Sequence, residues 1–428
     1  MQRLLGLYDE GRQTLEGIPT FTLPPTLQAE RLDELAQIYS KDGYFERAIE
    51  AQKQANSLAP TAQRQHQIAL FYRDLGRIKD AIPYYEAAMA QEPQNTEYAM
   101  ALGYAYNQIG RYHAAAQIFE TIAERAPSNV SILKELGYLH MRDGNTEEAA
   151  RWFKRAIDTE RHLFLGSQEE QEQRDLNIYR MRQEVSRITN RFDLTLYQSY
   201  RSSAGSFAVT PTAFGGGVIP SQGGADLSYQ PPVVGFRDER ILQFFARLLW
   251  TTQPRSLDID EDSLQGSIGL RYKPFKTQNF FLSAEKLLKV GRSSDDNWLL
   301  RALYDWGYGT DLRLDRLYWN YTLVYGDLGY FIEAPSTWAY YGEVRQGLTF
   351  NIGNSLLISP HLVIDGRVQS PDPAQISYFE GGGGVSFKYL FNETSYEASR
   401  SSVEVLLQYK AGIVNSQNGW VITGILWF

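Results

Sequence analysis

The sequence predicts an α+β multidomain protein: an N-terminal α-solenoid of helical repeats, then a C-terminal antiparallel transmembrane β-barrel of about 12 strands. Three observations support this fold class. A period of 33 to 34 residues runs through the first part, and long segments of alternating polar and apolar residues fill the second. Seven of the eight tryptophans and 25 of the 35 glycines lie after residue 190. Alanine, glutamate and arginine in the first part favour helices, and aromatic residues in the second favour strands.

The composition excludes several classes of protein. The 428-residue chain has a formal net charge of −8 and contains no cysteine. Disulfides, thiol nucleophiles and cysteine zinc sites are therefore impossible. The acidic balance argues against nucleic-acid binding, which needs a basic surface. No apolar run reaches the roughly 18 residues of a transmembrane helix.

Prolines mark the period of the N-terminal repeats. Pro60, Pro93 and Pro127 are 33 and 34 residues apart. Turns containing glycine are expected to end the first helix of each pair. These turns are Asp42-Gly43, Leu75-Gly76, Ile109-Gly110 and Asp143-Gly144. The four units over residues 29–163 resemble the tetratricopeptide repeat.

The boundaries of the pattern divide the chain into four regions. Residues 1–28 form an N-terminal extension, 29–163 the four repeats, 164–190 a capping or adaptor helix, and 191–428 the barrel. Ser167 and Glu170 have the spacing of a capping box at the start of this helix. Two interpretations stay open: the helix covers the last repeat, or it fixes the solenoid to the next domain.

The resemblance to tetratricopeptide repeats also implies a binding surface. In that family the first helix of each pair lines a concave face, which binds protein segments or extended polymers. We call the candidate partner-binding residues the repeat face: Arg73, Tyr104, Asn107, Lys134, Tyr138 and Arg142. The alternative is a solvated inner surface without a high-affinity ligand.

The second half alternates with a period of two. In residues 267–273, Ile, Leu and Tyr alternate with Ser, Arg and Lys, and another apolar row occupies the odd positions from Leu317 to Tyr325. The predicted strands are roughly 10–14 residues long, against about 5–6 in soluble sheets. About 20 residues per strand and turn give about 12 strands. A soluble β-sandwich is the alternative.

Charged residues recur on the polar face of these strands. We call them the lumen set: Arg271, Lys273, Glu285, Arg301, Glu343, Arg345, Glu404 and Lys410. Their mixed signs predict interlocking charge pairs inside a narrow barrel. The alternative is a lumen that guides a hydrated polymer.

Two glycine-rich segments and one acidic segment look like ligand-binding motifs but have simpler structural interpretations. The run Gly381–Gly384 lies inside a strand and indicates a kink or bulge. The connection 202–224, which includes Gly223 and Gly224, is expected to be a mobile loop. The acidic segment 258–263 lacks the glycine and glutamate of a calcium loop and is interpreted as a solvated turn. We therefore predict no catalytic, metal or cofactor site, and no enzyme activity.

Three segments of the second half carry a family resemblance. FDLTLYQSYR at 192–201, SYEASRSSVEVLLQYKAG at 395–412 and the aromatic strand 420–428 resemble the bacteriophage N-four adsorption protein A family. The whole architecture is similar to that of exopolysaccharide exporters in Gram-negative bacteria. The resemblance implies an outer-membrane phage receptor and a component of a surface polysaccharide secretion system. The implied partners are a periplasmic or inner-membrane protein bound by the repeats, outer-membrane lipid, a phage tail protein and exopolysaccharide.

This location conflicts with the first residues of the chain. A secreted protein needs an apolar signal, but Asp9, Glu10 and Arg12 stand in its place. We therefore expect that the natural signal peptide is missing, with the repeats in the periplasm and the barrel in the outer membrane. Two other functions stay open: a polysaccharide export porin proper, although such exporters usually have more strands, and a soluble repeat scaffold with a β-sandwich interaction domain.

Overall fold

The structure, a computed structural model, describes residues 8–19, 23–163, 166–202, 222–232, 234–252, 258–333, 336–370 and 378–428. The chain divides into two compact units, Met1–Asp143 and Gly144–Phe428. Within the described residues, the first unit contains helices α1 (Tyr8–Glu16), α2 (Pro25–Lys41), α3 (Phe45–Leu58), α4 (Ala62–Asp74), α5 (Ile78–Gln91), α6 (Thr96–Gln108), α7 (Tyr112–Arg125) and α8 (Val130–Asp143).

The second unit begins with two helices and continues with strands only. The helices are α9 (Thr146–Arg161) and α10 (Gln168–Thr189). The strands are β1 (Phe192–Arg201), β2 (Gln222–Tyr229), β3 (Phe236–Arg237), β4 (Arg240–Thr252), β5 (Ile259–Lys273), β6 (Asn279–Lys289), β7 (Asn297–Tyr308), β8 (Tyr318–Phe331), β9 (Thr337–Ile352), β10 (Leu356–Gln369), β11 (Tyr378–Phe391), β12 (Ser401–Val414) and β13 (Gly419–Trp427). Among the helices described, none is long and apolar enough to cross a membrane.

Helices of the first unit pack in consecutive pairs that are joined by glycine turns. Gly43, Gly76 and Gly110 have φ angles of 80°, 78° and 80°, a left-handed conformation that glycine adopts without strain. At the first of these turns the Tyr44 amide donates to the carbonyl of Tyr39 over 2.8 Å. The turns that the sequence predicts are therefore present in this unit.

Small residues allow the paired helices to approach each other closely. A Cβ atom on Gly103 of α6 would lie 2.6 Å from the Phe119 ring of α7. Phe119 is fully buried. The close packing of this pair therefore depends on the missing side chain at position 103.

The strands of the second unit form a closed antiparallel barrel. β1 pairs with both β13 and β2, and β2 also pairs with β4, which closes the ring. The two-residue β3 pairs with β4 and does not take part in closure. The ring has twelve strands among the described residues, so the predicted fold class and strand number are confirmed. The β-sandwich alternative is wrong because the sheet closes on itself.

The two faces of the ring differ in polarity. Outward side chains are apolar and exposed, as for Ile268, Leu270 and Tyr272, whereas Ser267 and Arg271 are buried. Charge pairs that skip a strand place the buried polar face in the interior. For example, Lys410 on β12 contacts Asp365 on β10 at 2.6 Å, although β11 lies between these strands.

One apolar row points to the interior. Trp319, Tyr321 and Tyr325 on β8 are 4%, 8% and 6% exposed, and they share their face with Asp327. Tyr325 lies in a buried cluster with Leu303. Alternation separates the faces of a strand but does not tell which face is outward, because buried aromatic rings pack well inside a filled barrel.

The glycine segments differ in part from their predicted roles. Gly223 and Gly224 lie in β2, so the expected loop ends earlier, and residues 203–221 lie outside the described part. The run 381–384 lies inside β11 as predicted, and the register shifts just before it, between Phe379 and Glu380. A Cβ atom on Gly382 would lie 2.1 Å from the Tyr409 carbonyl oxygen. The acidic segment 258–263 was expected to be a turn, but β5 already starts at Ile259.

The ends of the barrel are defined by the strand that follows α10. We call the end where β1 begins the near end and the opposite end the far end. The near-end turns are the described residues of 230–239, which include the short strand β3, and residues 274–278, 309–317, 353–355 and 392–400. The described far-end turns include 290–296 and 415–418.

Candidate functional site

A chain of charged side chains runs along the interior face of the barrel from β2 to β8. Arg247 on β4 donates to Asp226 on β2 over 2.9 Å and to Glu285 on β6 over 3.1 Å. Arg301 on β7 lies 3.7 Å from the same Glu285 and donates to Asp327 on β8. We call these five residues the ion-pair belt. All five are less than 10% exposed. Each of these buried charges has an oppositely charged neighbour, which offsets the cost of removing it from water.

Other ion pairs occupy the rest of the interior. Arg201 on β1 donates to Glu380 on β11 over 3.0 Å. Arg345 pairs with Glu343 on β9, which also accepts from the Tyr341 hydroxyl. Many of the interior charges are therefore paired, and buried aromatic side chains share the interior with them.

The structure places all eight residues of the lumen set on the interior face. Glu285 and Arg301 belong to the ion-pair belt, and Arg271 lies 3.9 Å from Asp226 in the same belt. Lys410 pairs with Asp365, while Glu404 accepts from Ser386 over 2.6 Å. Lys273 lies apart from these pairs, at the near end of β5. Their function as guides for a polymer stays a prediction.

Several interior charges were missed in the sequence. Asp226 lies just beyond the segment 202–224, and the interpretation of that segment as a loop hid the strand β2. Arg247 and Asp327 stand alone in apolar segments, FFARLLW and LVYGDLGY. Side chains of a barrel strand alternate between the lipid-facing and the interior face, and charges are excluded from the lipid-facing positions. A single charge within an apolar strand therefore indicates an interior position, and this signal would have identified both residues.

The repeat face is brought together only in part. Arg142 of α8 donates to the Asn107 side chain of α6 over 2.9 Å, and Asn107 donates to Glu135 over 3.1 Å. Tyr104 is one helical turn before Asn107, and its exposed ring packs edge-on against Phe119.

The other members of the repeat face are arranged differently. Arg73 on α4 is exposed and pairs with its neighbour Asp74. Lys134 and Tyr138 lie on α8 and are half-buried. The structure thus joins Asn107 and Arg142 directly, and the binding role of the six residues stays a prediction.

Glu135 is the polar residue of this region that the sequence reasoning missed. Burial raises the pKa of its carboxyl, and the nearby Arg142 and Asn107 oppose that rise. Its amphipathic position between Leu133 and Leu136 resembles that of any half-buried helix glutamate. It nevertheless links the two helices through Asn107.

The helix α10 joins the repeats to the barrel and contacts the near-end turns. Its capping box is present: the Ser167 side chain accepts from the Glu170 amide over 3.2 Å, and Glu170 accepts from the Ser167 amide over 3.0 Å. Arg182 donates to the Glu393 carboxylate over 2.9 Å. The Ser186 hydroxyl donates to the Ala398 carbonyl over 2.9 Å.

Comparison with known proteins supports the resemblance seen in the sequence. Residues 257–423 match a family model described as "Bacteriophage N adsorption protein A C-term". Residues 29–61, 67–130 and 108–161 match tetratricopeptide repeat models. The predicted resemblance to both is therefore confirmed. These families are adsorption and repeat proteins rather than enzymes.

One curated relative is the "Bacteriophage adsorption protein A" of Escherichia coli (strain K12). The two are 23% identical over 395 residues, which cover 88% of this chain and 39% of the relative. The chain thus spans about two fifths of the length of the curated relative that it matches.

Two solved structures are similar to part of this chain. A structure of the MamA protein is 21% identical and covers 39% of this chain and 92% of its own, with a TM-score of 0.34. The structure titled "YrrB: a TPR protein with an unusual peptide-binding site" is 19% identical and covers 38% of this chain and 78% of its own, with a TM-score of 0.31.

Proposed function

We propose that this chain is an outer-membrane protein that a bacteriophage uses for adsorption, with its barrel in the membrane and its repeats in the periplasm. The observation that carries the proposal is the closed ring of twelve strands with an apolar outward face. Long strands with one apolar and one polar face are what a transmembrane barrel requires. The similarity to a bacteriophage adsorption protein over most of the chain supports the receptor role.

The orientation follows from the position of α10. Because α10 leads into the near end, periplasmic repeats place the near end in the periplasm and the far end outside the cell. A phage tail protein would then bind the far-end turns. Outer-membrane lipid would cover the outward face.

The repeats supply a second binding surface. We assign the repeat face to a periplasmic or inner-membrane protein, since repeat solenoids use such faces for protein segments. The proposed protein is not an enzyme and does not bind nucleic acid. We also propose that the chain is divided into an N-terminal extension (1–28), the repeats (29–163), the helix that follows them (164–190) and the barrel (191–428).

We further propose that the protein contributes to the secretion of a surface polysaccharide. The polar interior supports it, because a hydrated polymer needs polar walls. The ion pairs that line the interior favour a component of a secretion system over a wide export porin. Conductance in planar bilayers separates the two: the proposal expects a small conductance, whereas a large conductance blocked by added polymer would favour the porin.

The membrane location is tested by extraction and gel migration. We expect the protein to require detergent for extraction and to migrate differently in SDS gels before and after heating, because a closed barrel resists SDS. A protein that stays soluble without detergent and shows no change in migration contradicts the proposal.

The receptor role is tested by phage adsorption to cells that express variants of this chain. Alanine at Arg292, Asp295 and Asp296 changes the far-end turn 290–296. The matched control changes Asn354 in the near-end turn 353–355 to glycine. We expect the far-end variant to adsorb fewer particles at equal surface expression and the control to be unchanged. Equal adsorption after replacement of every far-end turn would refute the role.

A further inference from the structure

The near-end turns that α10 contacts lie on different sides of the barrel. Arg182 reaches the turn between β11 and β12, where it donates to Glu393 and to the Thr394 carbonyl over 2.7 Å. Arg187 pairs with Glu239 in the turn between β2 and β4. The guanidinium of Arg187 also lies over the Phe236 ring of that turn, 5.2 Å from its centroid.

A third turn acts on the same helix. Burial raises the pKa of Tyr179 to about 12, and the nearby Asp311 carboxylate contributes to that rise. Asp311 lies in the turn between β7 and β8. Since Tyr179 is about two helical turns before Arg187, one face of α10 faces all three turns.

The spacing of these turns around the ring is even. In the order of the ring, four strands separate each of the three turns from the next. The two turns that α10 contacts directly are four strands apart, so the segment from Arg182 to Arg187 spans between them at the mouth of the barrel. The influence of Asp311 on Tyr179 agrees with this placement.

We propose that α10 is a cap that closes the near end of the barrel and that opens when its charged contacts to the near-end turns are released. This inference concerns access to the lumen and rests on the proposed function only for its biological use. The contacts of the cap differ from those of the ion-pair belt. Glu393 and Glu239 are 61% and 31% exposed, so water and salt compete for their arginine partners. A cap held in this way can open without disturbing the buried belt.

The absence of cysteine allows a direct test with a single introduced thiol. Lys273→Cys places the thiol on the interior face at the near end, outside the ion-pair belt. Gln369→Cys places a reference thiol on the interior face at the far end. The rate of reaction with a water-soluble maleimide is measured for each in the purified, folded full chain.

The double variant Arg182→Ala with Arg187→Ala removes the charged contacts that hold the cap to the near-end turns. We expect the reaction at position 273 to accelerate about tenfold, as for the loss of two partly exposed ion pairs, and the reaction at 369 to stay constant. Arg187→Glu should accelerate position 273 as well, and the addition of Glu239→Arg should restore the slow rate. Arg174→Ala, on the same helix but paired with Asp175, is the matched control and should change neither rate.

Equal rates at position 273 with and without the cap substitutions would overturn the proposal. Acceleration at both thiols would overturn it too, because the barrel itself would then have loosened. The measurement needs neither phage nor polysaccharide. A failure of the proposed receptor role would therefore leave this result unchanged.

Discussion

A buried charge in the barrel interior stabilises the fold only when it is paired with an opposite charge. Arg301 lies between Glu285 and Asp327, and all three side chains are at most 4% exposed. We expect Arg301→Ala to lower the free energy of unfolding by about 3–5 kcal/mol, because two carboxylates lose their buried counter-charge. The measurement is urea unfolding in lipid vesicles, followed by tryptophan fluorescence.

Two comparisons make this prediction specific. Arg292 has a side chain that is 90% exposed, so Arg292→Ala should change stability by less than about 0.5 kcal/mol. Arg301→Ala combined with Asp327→Ala should recover part of the loss, because one orphaned carboxylate is removed. Similar losses for Arg301→Ala and Arg292→Ala would contradict the importance of the pair.

At Gly103 the missing side chain is itself a packing feature. Gly103→Ala adds a methyl group 2.6 Å from the buried Phe119 ring, and the overpacking exceeds the gain in helix propensity. We expect a loss of about 1–2 kcal/mol, measured by thermal melting of the helical circular dichroism signal. Gly166→Ala is the control, since its nearest neighbour would be a flexible Glu170 oxygen at 3.9 Å. A melting temperature unchanged by Gly103→Ala would argue against the close approach of α6 and α7.

Sequence patterns predicted the residue-level chemistry of the interior better than its pairing. Alternation placed Glu285 and Arg301 on one face without showing that they meet. Pairing depends on the register between neighbouring strands, and no local pattern fixes that register. Asp226 was missed because its strand was interpreted as part of a loop, and Arg247 because it stands alone among apolar neighbours.

Elements with local signals were predicted well. The glycine turns at Gly43 and Gly76 and the capping box at Ser167 depend on a few adjacent residues, so the sequence contains all the information. The aromatic row of β8 shows the limit. Trp319 and Tyr325 are apolar and alternate correctly, but the side they face is decided by the strands around them.

The start of α10 should depend on pH through its capping box. Hydrogen bonds from the Ser167 and Gly166 amides lower the pKa of Glu170. A lowered pKa in the folded state means that the stabilisation is complete above the ordinary carboxyl value and is lost as the pH falls through the lowered value. We therefore expect the amides of residues 166–170 to lose protection from hydrogen exchange on acidification below about pH 4.5.

Glu170→Gln provides the comparison for this pH effect. Its amide still accepts a hydrogen bond but does not titrate, so protection at residues 166–170 should lose its acid dependence after correction for intrinsic exchange rates. Glu169→Gln changes the residue one position earlier, outside the capping box, and protection in this variant should keep its acid dependence. Acid-independent protection in the unchanged chain would show that the capping box contributes nothing to the first turn.

At the scale of the whole molecule, the strand number and the barrel were predicted, but the strand pairs that close the ring were not. Strand and turn lengths in residues 191–428 gave about 12 strands because transmembrane strands have a narrow range of lengths. Closure depends on the pairing of β2 with β4 and on the pairing of β1 with β13. The second of these joins residues more than 200 positions apart, such as Thr195 and Trp427. Only the three-dimensional arrangement could decide between the ring and the sandwich.

The two units should unfold separately, and the chain carries its own probes for this. All eight tryptophans lie in Gly144–Phe428, whereas most of the helices lie in Met1–Asp143. Repeats are stabilised by their nearest neighbours only, while each barrel strand is paired on both edges. In increasing urea, we expect the helical signal at 222 nm to fall before tryptophan fluorescence changes. Gly103→Ala should lower the midpoint of the first transition and leave the second in place. Coincident transitions, shifted together by Gly103→Ala, would mean that the chain unfolds as one cooperative unit.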